Sequence, residues 1–282
     1  MHIETLSTNI GAEIFNADIR DKTQFDAIWE AFKEYSVLVI RNQAITPEEH
    51  LAFSRQFGQI NINRFFQPLE NQPEISVVEK LANQRRAIGQ DWHTDHSYDA
   101  APAMGSIMHA IALPPYGGDT LFVSMASAFE ALNDEKQLFL KGLSAIHSSK
   151  HVFGKQKQSK YRDDSGRTGN EELAIQDALH PVVITHPLSG RDGLYVNPTF
   201  TESVTGVSSK ESKTILGALY RHCQSPNFQC RIKWKTGDVG VWDNRATWHK
   251  AENNYHGHYR LMHRITIEGC TLSGSKSLAQ VP

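Results

Sequence analysis

The sequence predicts a mainly β fold, a sandwich or jelly roll with flanking helices. Short segments rich in apolar and β-branched residues alternate with turns that contain Gly, Pro and Asp, which is typical of packed antiparallel sheets. Amphipathic helical segments lie mainly outside this strand-rich part. No repeat, low-complexity tract or linker divides the 282 residues, so we expect a single domain over residues 1–282.

The first elements alternate between helix and strand. Apolar residues recur at helical spacing over residues 23–34 and predict an amphipathic helix, and the β-branched run at 36–40 predicts a buried strand. Thr46, followed by Pro and then by Glu49, is typical of a helix start, because both side chains can satisfy free backbone N–H groups. We expect that helix to reach about Gly58.

The rest of the chain predicts strands joined by turns. Further strands are predicted over residues 75–80, 106–112, 120–123, 231–235, 239–243 and 260–268. A Ser-Gly-Arg-Asp-Gly turn between residues 182–186 and 194–197 predicts a β-hairpin. Residues 125–142 predict one or two helices, and residues 208–223 predict another. The polar segment 154–172 predicts a mobile surface loop and is a candidate lid.

The amino-acid composition and net charge exclude several classes of binding partner. A formal net charge of -2 argues against binding to nucleic acid or to an anionic membrane. No apolar stretch is long enough to span a bilayer, and the first residues lack the basic and apolar regions of a signal peptide. Three cysteines without Cys-x-x-Cys spacing fit a reducing compartment. We expect a cytoplasmic homo-oligomer whose partner is a small-molecule substrate.

Two distant segments carry the side chains with the clearest chemistry. His93 and Asp95 are two residues apart, so in an extended segment both point the same way and can meet one metal ion. His249 follows the strand predicted at 239–243 after a short connection, which would place it at the end of that strand. Two imidazoles and one carboxylate are the ligand set of non-haem Fe(II) oxygenases.

Two arginines lie on the last predicted strand. Arg260, Met262, Arg264 and Thr266 share one face, because side chains alternate along a strand. Two guanidinium groups that point into one cavity are costly unless they meet anions. Taken singly, a His-x-Asp pair, a histidine and an arginine are each common without a ligand. Their order along the chain, together with their neighbours, is what makes the pattern specific.

The combination of motifs resembles the taurine dioxygenase family of Fe(II)/2-oxoglutarate-dependent dioxygenases over nearly the full chain. The matching segments are Trp92-His93-Thr94-Asp95, Gly117-Gly118-Asp119-Thr120-Leu121-Phe122, His180-Pro181-Val182-Val183, Thr185-His186-Pro187, Leu194-Tyr195-Val196-Asn197, Trp242-Asp243-Asn244-Arg245 with His249, and Tyr259-Arg260-Leu261-Met262-His263-Arg264. The resemblance implies a distorted double-stranded β-helix, which is a jelly roll, and a 2-oxoglutarate-dependent dioxygenase.

The resemblance also implies roles for individual residues. Fe(II) would be bound by His93, Asp95 and His249. Arg260 would pair with the distal carboxylate of 2-oxoglutarate, and Thr120 would hydrogen-bond to the same carboxylate. Three protein ligands leave three positions on the metal for 2-oxoglutarate and O₂. The reaction would release succinate and CO₂ and hydroxylate a C–H bond of the substrate.

On the substrate side the chain departs from the taurine-type pattern. Arg264 matches the arginine that grips the anionic group of sulfonate substrates. Asn63 stands where the family has a substrate-binding histidine, Phe66 where it has a tyrosine, and Gly89 where it has an asparagine. With fewer polar partners and an added aromatic ring, we expect a substrate larger or more apolar than taurine. A sulfonate, sulfate ester, phenoxy acid or other carboxylate would fit.

Four more side chains are candidates for the pocket. Tyr98 is expected at its edge. His96 either contacts the substrate or points outward, since neighbouring residues on a strand point in opposite directions. Phe153 and Phe200 match positions that can line the pocket, and core packing explains them equally well.

Two other functions remain compatible with parts of the pattern. A jelly-roll metal-dependent hydrolase or isomerase that does not use 2-oxoglutarate would have no need of the carboxylate anchor at Thr120 and Arg260. A non-catalytic anion-binding protein of the same fold would have no need of the intact set His93, Asp95 and His249.

Overall fold

The computed structural model describes residues 1–155, 157–158 and 166–275. The strands within these residues are β1 His2–Thr5, β2 Ala12–Phe15, β3 Val37–Ile40, β4 Ile60–Asn61, β5 Pro68–Leu69, β6 Gln72–Lys80, β7 Gly105–Ala112, β8 Thr120–Ser124, β9 Ser144–Ser148, β10 Asp177–Pro181, β11 Val183–Thr185, β12 Asp192–Leu194, β13 Thr201–Val204, β14 Gln229–Ile232, β15 Val239–Asp243, β16 Thr247–Ala251 and β17 Arg260–Ile267. The helices are α1 Phe25–Tyr35, α2 Pro47–Ser54, α3 Met125–Glu130, α4 Asp134–Lys141, α5 Lys150–Phe153 and α6 Ser209–Cys223. None of these helices is long and apolar enough to cross a membrane.

Two sheets packed on each other form the body of the fold. The larger sheet has the strand order β1-β2-β3-β15-β7-β17-β6-β5, with β4 paired to the end of β17. Its pairs are antiparallel except β2 with β3. The smaller sheet has the order β14-β8-β16. Met108 and Met262 of the larger sheet share one buried cluster with Phe122 and Ile232 of the smaller sheet. The mainly β jelly roll expected from the sequence is confirmed.

Strand β3 is apolar at all four positions because both of its faces are covered by other parts of the protein. All four of its residues are fully buried. Val37 and Val39 belong to the cluster between the two sheets, whereas Leu38 and Ile40 belong to a second cluster that contains Phe32 of α1. A strand covered by a sheet on one side and by helices on the other has no polar face, and a continuous apolar run is its sequence signature.

Helix α2 begins where the sequence predicts and ends earlier. The Thr46 side chain accepts the Glu49 N–H, while the Glu49 carboxylate accepts the Thr46 N–H. The expected end at Gly58 is wrong, because the helix stops at Ser54. The following residues form tighter turns, which carry Phe57 into the cluster beneath α1.

Two expectations in the last third of the chain are corrected. The strand predicted at 231–235 is β14 and ends at Ile232. This leaves Trp234 outside the strand, where its indole reaches the smaller sheet. His249 does not follow a strand end, because it lies in the middle of β16. The mixed sequence of β16 lacks the alternation that would have marked it as a strand.

The loop predicted at residues 154–172 is only partly described. Outside the described residues lie 156 and 159–165. Farther along, Thr168 forms a β-bridge with Phe66 and Arg167 is buried. Arg167 is therefore turned into the protein, whereas Gly166, Asn170 and Glu172 are exposed, as the polar composition of the segment predicts.

Candidate active site

The two histidines of the predicted metal site are paired through their backbones. His93, in an extended segment, forms an antiparallel bridge with His249 of β16. The His93 N–H donates to the His249 carbonyl at 3.1 Å, and the His249 N–H donates to the His93 carbonyl at 2.8 Å. Opposed residues of an antiparallel pair place their side chains on the same face. The two imidazole centroids are accordingly 4.1 Å apart.

Asp95 completes the group. Its Oδ1 lies 3.6 Å from His93 Nε2, and its Oδ2 lies 3.7 Å from His249 Nε2. The three candidate ligand atoms lie within 4.8 Å of one another, and all three residues are buried. In the described part of the chain this is the only such group of His, Cys, Asp or Glu side chains. The structure thus brings together the three residues that the sequence predicted to meet.

Asp95 is held in its ionised form. Burial alone would raise the pKa of Asp95, but the positive charge of Arg264 more than offsets this and keeps the pKa well below its usual range. Arg264 Nη1 donates to Oδ2 at 3.1 Å, and Ser106 Oγ donates to the same oxygen at 3.2 Å. Such supporting hydrogen bonds orient a metal-binding carboxylate.

Each of the two imidazoles offers a ring nitrogen to the site. His93 Nδ1–H donates to the Asp91 carbonyl at 2.8 Å, which leaves Nε2, the ring nitrogen that faces Asp95, as the one that can bind a metal. Burial, reinforced by the neighbouring His93, holds the pKa of His249 well below its usual value. Neutral imidazoles and an ionised carboxylate are the forms that bind a divalent metal. The donor set therefore fits Fe(II).

Arg260 is a buried guanidinium group on the pocket face of β17. It is 5 % exposed and forms no ion pair among the described residues, and burial lowers its pKa. Thr120 of β8 lines the same pocket. Trp234 Nε1 donates to Thr120 Oγ1 at 2.9 Å, which leaves the Thr120 hydroxyl hydrogen available to a ligand. A guanidinium group with a nearby hydroxyl donor suits a carboxylate.

Arg264 is shared between the candidate metal ligand and the open pocket. Its Cζ lies 4.6 Å from the centroid of the Phe66 ring, on which the guanidinium group rests. One nitrogen donates to Asp95, while Nε and Nη2 are buried and have no hydrogen-bond partner among the described residues. Arg264 therefore meets one anion inside the protein already and retains donors for a second one.

Aromatic rings form the wall beside Arg264. Phe66, Tyr98, Phe153 and Phe200 line the same pocket as the three candidate metal ligands. The ring centroids of Tyr98 and Phe200 are 4.9 Å apart, and those of Phe66 and Phe153 are 6.2 Å apart. Phe153 and Phe200 pack in an aromatic cluster and also face the pocket, so both interpretations of these two residues hold.

Asn63 and His96 are engaged with the protein itself. Asn63 Oδ1 accepts the N–H groups of Phe65 and Phe66, so its amide nitrogen donates to His96 Nε2 at 3.2 Å. His96 Nδ1–H donates to Asp99 at 3.0 Å. Asn63 still lines the pocket, whereas His96 does not. His96 is only 2% exposed, so it neither borders the pocket nor points outward into solvent, and both expectations for it are wrong.

Three residues that line the pocket or support its side chains were not predicted from the sequence. Arg167 lines the pocket from a segment whose composition resembles a surface loop. Ser106 and Trp234 hold Asp95 and Thr120 through contacts that arise only when the strands pair. The alternation of β7 could have placed Ser106 on the pocket face, but nothing local identifies its partner.

The chain was compared with known families and structures. A model of the family described as taurine catabolism dioxygenase TauD, TfdA family matches residues 2–266. The chain belongs to this family. A TauD/TfdA relative named alkylsulfatase, from Acinetobacter baylyi, is 30% identical and the match covers 99% of this chain and 88% of the relative.

Two further TauD/TfdA relatives support the assignment. An alpha-ketoglutarate-dependent 2,4-dichlorophenoxyacetate dioxygenase from a Burkholderia species is 31% identical over 91% of this chain and 88% of the relative. The crystal structure of a taurine dioxygenase from Burkholderia xenovorans has a TM-score of 0.82 at 31% identity and covers 97% of this chain and 92% of that one.

Membership in the TauD/TfdA family establishes the reaction class. The protein is a dioxygenase that depends on 2-oxoglutarate and uses Fe(II) and O₂. The expected reaction class and cofactors are confirmed. The relatives do not support a hydrolase or isomerase without the cosubstrate, since they are themselves alpha-ketoglutarate-dependent dioxygenases.

Gly89 packs directly against one imidazole of the group, which leads to a testable prediction. Its φ is +73°, and a Cβ there would lie 3.1 Å from His93 Cε1. Gly89→Ala should displace the ring and weaken divalent metal binding by about tenfold or more, as measured by metal titration of the purified protein.

Gly190→Ala is a matched control for this prediction. Gly190 has a φ of +71°, and no atom lies within 4 Å of the place that a Cβ would take there. Both variants carry the strain of a left-handed backbone, about 1–2 kcal/mol. Only Gly89→Ala should lose metal affinity. An equal loss in both variants would mean that backbone strain, and not displacement of the His93 ring, weakens metal binding.

Proposed function

We propose that the pocket holds iron, cosubstrate and substrate in three adjoining places. The residues in these roles are His93, Asp95 and His249 for Fe(II), Arg260 and Thr120 for the distal carboxylate of 2-oxoglutarate, and Arg264 for an anionic group of the substrate. The observation that carries the proposal is the pair of buried arginines on one face of β17, beside a carboxylate flanked by two imidazoles.

The protein's own part in catalysis is orientation and exclusion of water. Bound Fe(II) supplies activation of O₂, coupled to the decarboxylation of 2-oxoglutarate to succinate and CO₂. Arg260 fixes the distal carboxylate, so the 2-oxo acid end is presented to the metal ligands. Arg264 holds the substrate next to Asp95, and the aromatic wall keeps water away from these charged contacts.

The proposed substrate is an organic anion with an apolar body: a sulfonate, sulfate ester, phenoxy acid or other carboxylate. Two free donors on Arg264 suit the anionic group. Phe66, Tyr98 and Phe200 offer ring surface to the rest of the molecule, and Asn63 adds little polar recognition because its amide is already bonded. Relatives named for an alkyl sulfate and for a phenoxyacetate support the same chemical class.

A spectroscopic experiment tests the places of iron and cosubstrate. Fe(II) and 2-oxoglutarate added to the protein without oxygen should produce a weak visible metal-to-ligand absorption band. The band should need both components, and it should be lost when Asp95 is replaced. No band in the wild-type protein, or an unchanged band without Asp95, would contradict the assignment.

The substrate class is tested by a screen. Sulfonates, alkyl sulfates, phenoxy acids and other carboxylates are incubated with the iron-loaded enzyme, and succinate formation is measured together with loss of the candidate. Each anion is paired with the alcohol of the same carbon skeleton. Turnover coupled to the anion but not to the alcohol supports the proposal, and equal turnover of both argues against an anion site.

Arg264→Ala should raise the KM for the anionic substrate found in the screen by about tenfold or more, because a charge-assisted hydrogen-bonded pair is lost. At saturating Fe(II), which offsets the loss of the Arg264 contact with Asp95, the KM for 2-oxoglutarate should change little, since Arg260 is untouched. Steady-state kinetics with each component varied in turn measures both values. An unchanged KM for the anion would remove the reason to expect an anionic substrate.

We also propose a cellular location and an assembly state. A cytoplasmic location is supported by the free thiols of Cys223, Cys230 and Cys270, which form no disulfide. A homo-oligomer is supported by apolar side chains left exposed, including Leu138 and Phe139 of α4. Sedimentation of the purified protein measures its assembly state, and a monomer at micromolar concentration would contradict the homo-oligomer.

A further inference from the structure

His96 is a buried histidine that directly follows the candidate metal ligand Asp95. Its φ is +59°, in the left-handed region that residues other than glycine rarely adopt. This backbone turns the chain, and the Asp99 N–H donates to the His96 carbonyl at 3.0 Å. A strained backbone persists only where the surrounding contacts over-determine it. The His96 imidazole supplies such contacts through both of its ring nitrogens.

The two ring nitrogens of His96 have different roles. Nδ1–H donates to Asp99 Oδ2 at 3.0 Å, and Arg64 donates to the other oxygen of the same carboxylate. Burial would raise the pKa of Asp99, but the hydrogen bond from His96 and the charge of Arg64 outweigh it and lower that pKa. Because Nδ1 is the donor to this carboxylate, Nε2 is the acceptor, and it receives the Asn63 amide at 3.2 Å.

Asn63 links His96 to Phe66. Its Oδ1 accepts the Phe65 N–H at 2.9 Å and the Phe66 N–H at 3.2 Å, so its Nδ2 is the group that donates to His96. Asparagine side chains commonly hold turns through such bonds to the backbone. His96 therefore fixes the amide whose oxygen holds the backbone of Phe66.

The link from His96 ends at the arginine proposed to bind the substrate. The Arg264 guanidinium group rests on the Phe66 ring, with Cζ 4.6 Å from the ring centroid, and it donates to Asp95 at 3.1 Å. Arg264 is thus held by Asp95 on one side and by Phe66 on the other. The contacts form a closed ring through Asp95, His96, Asn63, Phe66 and Arg264.

We propose that His96 is a positioning residue for the substrate, which sets the Arg264 guanidinium group through Asn63 and Phe66. This inference rests on the proposed role of Arg264 as the residue that binds the substrate anion. His96 does not line the pocket, so it acts only through these neighbours. A shift of about 1 Å in a group that orients the substrate is enough to impair its binding. His96 thereby contributes to affinity for the anion and not to affinity for 2-oxoglutarate.

Two substitutions of His96 each keep one of its two hydrogen bonds. Asparagine places its amide nitrogen close to the position of Nδ1 and tolerates a left-handed backbone, so His96→Asn keeps the bond to Asp99 and loses the acceptor for Asn63. Glutamine places its amide oxygen close to the position of Nε2, so His96→Gln keeps the acceptor for Asn63 and loses the bond to Asp99. If His96 acts through Asn63, only His96→Asn should weaken binding of the anion.

Calorimetry measures this difference in protein loaded with Mn(II) and 2-oxoglutarate, with hexyl sulfate and phenoxyacetate as probes. His96→Asn should bind the tighter probe about tenfold more weakly than the wild-type protein, because the buried Asn63 amide loses its partner. His96→Gln should keep most of the wild-type affinity. Equal affinity in all three proteins, or an equal loss in both variants, would overturn the inference.

Two further measurements separate positioning from general support of the fold. The affinities for Mn(II) and for 2-oxoglutarate should be unchanged in His96→Asn, whereas a parallel loss of Mn(II) affinity would mean that His96 only supports the backbone of Asp95. In the Asn63→Ala background, His96→Asn should cause no further loss of probe affinity, since residues that act through one another are not additive. Additive losses would contradict the link through Asn63.

Hydrogen exchange provides a readout that needs no substrate. The N–H groups of Phe65 and Phe66 donate to Asn63, so they should exchange faster in His96→Asn, while exchange in β3 stays as in the wild-type protein. His180→Asn is the matched control, because His180 is equally buried and donates to the Asp99 carbonyl at 3.0 Å but has no hydrogen bond to Asn63. The control should lose stability and keep the slow exchange of the two amides. Equal acceleration in both variants would overturn the inference.

Failure of the inference can be told apart from failure of the proposed function. If Arg264→Ala binds the probes as tightly as the wild-type protein does, the anion-binding role of Arg264 is wrong, and the role of His96 falls with it. If Arg264→Ala loses the probe and His96→Asn binds it as tightly as the wild-type protein, then only the role of His96 is wrong.

Discussion

Asp95→Asn is expected to abolish functional Fe(II) binding and reduce turnover by more than about a hundredfold. The substitution keeps the shape of the side chain but removes the charge that balances a divalent ion, and loss even of an outer partner of a metal ligand costs about 10–100-fold. Asp95 is also the anion that meets Arg264, at 3.1 Å, so its neutralisation leaves a buried guanidinium group without its partner.

Thermal unfolding with and without metal measures this effect. Metal at a hundredfold excess over its Kd should stabilise the wild-type protein by about 2.7 kcal/mol, and it should not stabilise Asp95→Asn. Asp243→Asn serves as control, because Asp243 is also buried and paired with an arginine, Arg245, at 2.7 Å but lies outside the pocket. The control should lose stability and keep its response to metal. Equal metal responses in wild type and Asp95→Asn would refute the ligand role.

Arg260→Ala should weaken 2-oxoglutarate binding by about tenfold to a hundredfold, because a hydrogen bond to a charged group contributes about 1.5–3 kcal/mol. Iron binding should persist, since Arg260 does not contact the three metal-ligand candidates. Calorimetry with 2-oxoglutarate and a separate metal titration measure the two affinities. Arg260→Lys should recover only part of the loss, because an ammonium group cannot reproduce the two-pronged contact of a guanidinium group with a carboxylate.

Loss of metal and cosubstrate binding together would contradict this role for Arg260, because the residue would then support the whole pocket. A sharper result comes from 2-oxobutyrate. Its affinity should be similar in the wild-type protein and in Arg260→Ala, since it has no distal carboxylate to lose. Arg264→Ala is the companion variant on the same strand face, and at saturating metal it should keep the 2-oxoglutarate affinity of the wild-type protein. Saturating metal is needed because Arg264 also holds Asp95.

Sequence patterns were sufficient where one periodicity determines the structure. The alternation along β17 correctly placed Arg260 and Arg264 on one face, and the capping signal at Thr46 correctly placed a helix start. The same reasoning failed at β16, because the residues around His249 are buried for different reasons and do not alternate. A strand whose register is set by its neighbours cannot be recognised from its own sequence.

The sequence predicted which residues lie in the site better than it predicted which charged side chains pair with each other there. Except for His96, the residues named from the sequence as metal, cosubstrate or substrate candidates line one pocket. The partner of Arg264 within the protein was not foreseen, because Asp95 lies 169 positions away in the chain.

The backbone pairing of His93 with His249 has a consequence for how the enzyme acquires its iron. The peptide hydrogen bonds between these residues, together with the Thr94 hydroxyl donating to the Thr247 carbonyl at 2.8 Å, hold the backbone of both histidines in place without help from a metal ion. The site can therefore be emptied by a chelator and refilled while the chain stays folded. Enzyme made during iron shortage would remain a usable reserve, and its activity would follow the ferrous iron supply without new protein synthesis.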